Sequence, residues 1–184
     1  MLRAIREKVF RPIIKIMETT TSTSDQTKVF TTEKIEEYNK IKEEHKGKII
    51  GTHSGVFHCD EALACSLLKY SNDFKDSVII RSRNTEIHDA VDILVDVGSV
   101  FDPDNYRFDH HQRGFDQYFN HEKHPEVKMS SAGLIYKYFG KEILTQIADD
   151  WNCEKFSDSE LSKFHSDFYK SLFLEVDAVD NGVS

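Results

Sequence analysis

Lys48-Ile49-Ile50-Gly51-Thr52-His53-Ser54-Gly55-Val56-Phe57-His58-Cys59-Asp60-Glu61-Ala62-Leu63-Ala64-Cys65-Ser66-Leu67-Leu68 changes character twice. It opens as a short apolar run of the kind that forms a buried strand. A polar loop with two histidines and an aspartate follows, and then a segment rich in alanine and leucine, which is helical in composition. Strand, loop and helix N-terminus in that order predict an α/β fold, in which a site forms just outside the carboxyl ends of the strands.

The next unit repeats the pattern. Ser77-Val78-Ile79-Ile80-Arg81 is β-branched and strand-like, residues 85 to 91 read as a short polar helix or turn, and Asp92-Ile93-Leu94-Val95-Asp96-Val97-Gly98 is a second buried-strand run. Asp96 interrupts that apolar run. Burying it without a partner would cost several kcal/mol, so it is expected to pair or to stand at the strand's mouth.

Asp102-Pro103-Asp104-Asn105 is turn chemistry, and it leads into Tyr106-Arg107-Phe108-Asp109-His110-His111-Gln112. On a continuing strand Asp109 and His111 would share one side and His110 the other; a turn there would let all three converge. A mixed oxygen and nitrogen donor set suits manganese, iron or zinc better than calcium. Residues 113 to 129 lack periodicity, and His121 and His124 read as loop residues. Ser130 is a plausible N-cap for a helix that Gly140 is expected to end. The final helix begins with Ser157-Asp158-Ser159-Glu160, a capping-box pattern. It carries Leu161, Phe164, Phe168, Leu172, Val176 and Val179 at helical spacing. Asp177 and Asp180 stand near its end, where acidic groups oppose the helix dipole, which favours a functional reason for at least one of them.

Composition narrows the function classes. The chain of 184 residues has 39% hydrophobic and 30% charged residues, with three prolines, and describes one ordinary globular domain. Three cysteines, Cys59, Cys65 and Cys153, give neither a zinc-knuckle spacing nor an even disulfide framework. A net charge of −8 counts against nucleic-acid binding through a broadly basic surface. It leaves room for an acidic site recharged by bound cations. No apolar run approaches the ~20 residues of a membrane span.

Residues 1 to 28 differ from the rest. Arg3, Arg6, Lys8, Arg11 and Lys15 alternate with apolar residues, followed by a hydroxyl-rich stretch at 19 to 24. This reads as a mitochondrial transit segment or a basic tail. The transit reading predicts that residues 1 to 30 carry a fused reporter into mitochondria, while a form lacking them stays in nucleus or cytosol; a purely cytosolic fusion would refute it. Residues 29 to 47 read as a charged helix or linker, and the globular part is expected from residue 48 onward.

The ionisable groups at predicted strand and helix ends are therefore His53, His58, Asp60, Asp96, Asp109, His110, His111, Asp177 and Asp180. A pair of five- or six-coordinate divalent ions ~3.5 to 4 Å apart needs about this many donors, one carboxylate bridging. Arg81 and Arg83, just past a strand, are candidate phosphate contacts or ordinary surface arginines.

Six motifs in order resemble the DHH phosphoesterase superfamily, and within it the melanocyte-proliferating-gene (Myg-type) exonucleases. They are Ile50-Gly51-Thr52-His53, Phe57-His58-Cys59-Asp60-Glu61-Ala62-Leu63-Ala64, Val95-Asp96-Val97-Gly98, Phe108-Asp109-His110-His111-Gln112, Ser130-Ser131-Ala132-Gly133-Leu134, and Val176-Asp177-Ala178-Val179-Asp180-Asn181-Gly182-Val183. The resemblance covers roughly residues 48 to 184. It implies a mainly parallel sheet flanked by helices and two divalent ions, manganese first and magnesium second. In it His53 and His58 hold one ion, Asp60, His110 and a late aspartate the other, Asp96 bridges, Asp109 supports the ligands, and His111 contacts the scissile phosphate. It further implies RNA or a short oligonucleotide as substrate, trimmed from the 3′ end in mitochondria and nucleus, and no membrane. Many DHH enzymes carry aspartate where His58 stands, which bears on metal preference. Such relatives continue into a second, substrate-binding domain. This chain is therefore expected to be the first domain alone, and a fragment of that kind can carry metal ligands without useful activity. Competing expectations are a small-molecule phosphatase on the same scaffold, cleaving pyrophosphate or short oligonucleotides, and a non-catalytic RNA-associated protein.

Overall fold

The structure, a computed structural model, describes residues 27–183, so the leader reading lies outside the described residues apart from its last two positions. Six strands form one sheet. In chain order they are β1 (Val29–Thr31), β2 (Ile49–Thr52), β3 (Val78–Arg81), β4 (Ile93–Val95), β5 (Phe101–Asp102) and β6 (Arg107–Phe108), and their spatial order is β1-β3-β2-β4-β6-β5. Every pairing is parallel except β5 with β6. The helices are α1 (Ile35–Glu44), α2 (Cys59–Leu68), α3 (Thr85–Ala90), α4 (Ser131–Asp150), α5 (Asp158–Phe168) and α6 (Leu174–Asp180). The expected α/β architecture with a mainly parallel sheet flanked by helices is what forms.

Alternation along the central strands explains the layering. Ile50, Ile79, Ile93, Val95 and Phe108 pack on one face with Ala64, Cys65 and Leu68 of α2 and with Leu134, Ile135, Phe139 and Ile143 of α4. Ile49, Val78, Ile80 and Leu94 pack on the other, with Tyr38 of α1 and Ile87 of α3. Successive side chains on a strand point to opposite faces, so β-branched runs without polar interruption suit strands covered on both sides.

Three local readings change. The residues before α1 supply edge strand β1, paired parallel with β3, and the charged segment 35 to 44 is a helix anchored by Tyr38, whose hydroxyl donates to Ala90 O at 2.7 Å. This part therefore joins the same sheet rather than preceding the globular unit. Gly140 does not end α4, which runs ten residues further to Asp150. A Cβ at Gly140 would lie 2.8 Å from His165 Nε2 and 2.9 Å from the Tyr136 ring, so this glycine answers to close packing. Finally, the last helix is interrupted. The capping box forms at Ser157 and Glu160 as expected, but a π-helical segment, Tyr169–Phe173, separates α5 from α6. Among the described residues no helix is long and apolar enough to cross a membrane.

Candidate metal centre

From β2 the chain crosses through α2 to β3 on one side, then returns through α3 to β4 on the other side of β2. The crevice outside the ends of β2 and β4 is thus a topological switch point, where open α/β sheets bind ligands. His53 follows β2 directly and Asp96 follows β4 directly. Asp96 adopts φ 60°, a left-handed conformation that aspartate tolerates better than the valines on either side. Its carboxylate, 4% exposed as a residue, stands at the strand's mouth.

Strand geometry stops at Phe108, which allows the next three residues to converge. Asp109 Oδ1 accepts from the backbone N–H of His110 at 2.7 Å, the N–H of His111 at 3.1 Å and His111 Nδ1 at 2.7 Å. Burial pushes the Asp109 carboxyl up, but these bonds and one from Ser99 N–H outweigh it and hold the group below its ordinary value. Asp109 is therefore an ionised anchor that fixes the His111 ring.

The donors fall into three sets, the ligand atoms within each lying within 4.8 Å of one another: His53, His58, Glu61 and Asp96; Asp96, Asp109, His110 and His111; and Asp60, His110 and Asp180. Asp96 links the first two and His110 the last two. Asp96 Oδ2 is 3.3 Å from His53 Nε2, while Oδ1 is 3.1 Å from His110 Nε2. His110 Nε2 is also 3.3 Å from Asp180 Oδ2 and 3.7 Å from Asp60 Oδ2. Burial lowers the His110 pKa, and the Asp96 hydrogen bond with the charges of Asp180, Asp96 and Asp60 more than reverses this. Burial, then repulsion from Asp60, pushes Asp180 up to about 6. Carboxylates crowded in a low-dielectric crevice repel one another unless a cation lies between them. Among the described residues His53 Nε2 and Asp60 Oδ1 are buried without a hydrogen-bond partner. Buried polar atoms are rarely left so, and these two lie in different donor sets, as a pair of divalent ions would require.

The structure brings together His53, His58, Asp60, Asp96, Asp109, His110, His111 and Asp180. Asp177 lies elsewhere. Fully buried, it accepts from Ser130 N–H at 3.0 Å, Ser130 Oγ at 2.7 Å and Tyr169 OH at 2.6 Å, and so caps the N-terminus of α4. Arg83 is exposed and, with His53, His58, Asp96 and His111, lines an opening of about 230 Å³. Arg81 is 5% exposed; its Nη2 donates to Gly55 O at 3.1 Å.

Sequence reasoning missed Glu61, Ser131 and Glu33. Glu61 accepts from the His58 backbone N–H at 2.8 and 2.9 Å and lies 3.6 Å from His53 Nε2. Its signal was its position three residues after the N-cap His58, the capping-box spacing. Ser131 Oγ donates to Asp60 Oδ2 at 2.7 Å, holding that carboxylate in place. Glu33 accepts from Ser54 Oγ, Ser82 Oγ and Arg83 N–H, tying together the loops after β2 and β3. Only the folded sheet reveals that role.

The MYG1_exonuc family model, described as "Uncharacterised protein family (UPF0160)", matches residues 49–184. Among curated proteins the chain is 48% identical over 134 residues to the MYG1 protein of Dictyostelium discoideum, covering 73% of this chain and 38% of that one. It is 47% identical over 137 residues to MYG1 protein YER156C of Saccharomyces cerevisiae, covering 74% and 38%. It is 44% identical over 138 residues to the MYG1 exonuclease of Homo sapiens, covering 73% and 36%. The chain thus spans well under half the length of these relatives. No solved structure matches it. With the matched region running from β2 through α6 and carrying every donor of the crevice, the chain belongs to the MYG1_exonuc family.

Proposed function

We propose that this protein is a divalent-metal-dependent phosphodiester hydrolase, a 3′-to-5′ exonuclease on RNA working with two manganese ions, or magnesium in their place. The carrying observation is Asp96, whose two carboxylate oxygens face two different donor sets across the switch point. His53, His58 and Glu61 would hold one ion with Asp96, and Asp60, His110 and Asp180 the other. Bound there, a pair of cations would lower the pKa of a water and neutralise charge developing on phosphoryl oxygens. The chain's own residues do the rest. Asp109 fixes His111, which is 58% exposed in its side chain, toward the opening where a phosphate would sit. Arg83 stands on the rim of the same opening and supplies a cation for it. A mitochondrial and nuclear workplace is part of the proposal, resting on the basic leader.

Chelation tests the reading. Phosphodiester turnover on bis(p-nitrophenyl) phosphate and on single-stranded RNA is expected to vanish with chelator and to return with manganese. Turnover that ignores chelation would refute it, and a preference for pyrophosphate over the oligonucleotide would reassign the substrate to small phosphoesters.

A further inference from the structure

Glu61 belongs to the donor set of His53 and His58, and it also lines a groove of about 680 Å³ between α2, β1 and β3. The chain carries a net charge of −8, yet the groove presents Lys28, Lys69, Lys75 and Arg81 against two carboxylates, Glu61 and Asp76. Glu61 Oε1 lies 3.9 Å from Arg81 Nη2, so those two charges offset each other and Lys28, Lys69 and Lys75 face Asp76. Two rings line the groove from either end of α2, Phe57, 66% exposed, and Tyr70, 42% exposed. The Arg81 guanidinium carbon lies 3.6 Å from the Phe57 ring centroid, bracing that exposed ring.

The floor is built rather than incidental. Thr52 and Arg81 are register partners across β2 and β3, 2% and 5% exposed, and both line the groove. Among the described residues Thr52 Oγ1 and Arg81 Nε have no hydrogen-bond partner, and neither has His45 Nε2, which also lines the groove. Buried polar atoms without partners on a groove wall point to a polar ligand.

We propose that this groove is a subsite for single-stranded nucleic acid, holding a few nucleotides along α2 beside the scissile bond. Unpaired bases stack on Phe57 and Tyr70 while Lys28 and Lys75 meet backbone phosphates and Arg81 braces the Phe57 ring from beneath. Basic grooves with aromatic platforms take single strands because every unpaired base offers a face to stack. The inference rests on the phosphodiester reading and adds where the chain of nucleotides runs. It also resolves how an acidic protein engages a polyanion, by concentrating its cations in one concavity.

The test is a binding titration of the whole chain with a fluorescein-labelled oligouridylate in EDTA, across a range of salt. Lys28→Glu with Lys75→Glu is expected to weaken binding by about tenfold and to reduce the slope of log K against log salt by about 1.4, two single-strand phosphate contacts. Lys141→Glu with Lys170→Glu changes net charge equally on residues outside the groove. Phe57→Ala is expected to weaken binding with the salt slope unchanged, because it removes stacking and no charge. Equal affinity and slope in wild type and the groove double variant, or equal weakening by both double variants, would overturn the proposal. Manganese-dependent turnover of bis(p-nitrophenyl) phosphate by the unaltered chain is read separately. Its absence with normal oligouridylate binding would count against the hydrolase reading alone.

Discussion

Asp96→Asn is expected to lower manganese-dependent phosphodiester turnover on the order of 10³-fold and to reduce the amount of metal bound at saturation. One oxygen of Asp96 faces His53 and the other His110, so a single substitution alters both donor sets at once. The amide keeps one carbonyl oxygen that can still ligate, but its NH2 cannot, and the negative charge shared between the two sets is lost. Losing about 4 kcal/mol of charge stabilisation corresponds to that rate factor. Asparagine is the informative choice because φ is 60° there, and asparagine accepts a left-handed backbone where alanine would add about 1 kcal/mol of strain. The same change relieves repulsion among crowded carboxylates, so the metal-free variant should unfold at the wild-type temperature or above it, while manganese should raise its melting temperature less than it raises that of the wild type. Wild-type turnover together with wild-type metal content would remove Asp96 from the chemistry and the two-ion arrangement with it.

How much of this is legible in the sequence depends on whether the signal is local. His53, His58, Asp60, Asp96 and the Asp109-His110-His111 run stand where apolar strands give way to turn residues, and chain order alone puts such positions at the mouth of a parallel sheet. Their convergence follows from topology. The aspartates of the last helix were not separable in this way. Three residues apart, Asp177 and Asp180 sit on neighbouring faces, and the π-helical segment Tyr169–Phe173 shifts the phase of everything after it. With that shift Asp180 reaches His110 while Asp177 turns inward to α4. Gly140 misled for a related reason: glycine is a helix-end signal locally, but here a ring from α5 occupies the space. Edge strand β1 escaped because three residues flanked by threonines and charges carry too little pattern to be told from a tail.

Asp177→Ala is expected to lower the unfolding free energy by about 4 kcal/mol, which for a chain of this size moves the melting temperature by roughly 10 °C. The first turn of a helix has N–H groups without intrahelical partners, and in α4 these meet a carboxylate from another helix. Removing it orphans Ser130 N–H, Ser130 Oγ and Tyr169 OH in a fully buried position. It also discards the favourable charge at the positive end of a 20-residue helix. The fit is tight enough that a Cβ on Gly133 would strike the Asp177 carboxylate, so no neighbour can move in to replace it. Asp177→Asn keeps an acceptor for Ser130 and can donate to Tyr169 OH, so its cost should be only about 1 kcal/mol. Acidity separates the two effects. Burial, opposed by these hydrogen bonds, pushes Asp177 up to about 6, above an unfolded value of roughly 4. Between those values the native state holds the proton more tightly than the unfolded chain, so this group's contribution falls as pH rises through the window, by on the order of 2 to 3 kcal/mol. The asparagine variant has no such proton to lose and should gain on the wild type from pH ~4 to ~6. Melts of both proteins with chelator present read this directly, and parallel curves across the window would show that the carboxylate capping α4 does not carry the burial cost that its position demands.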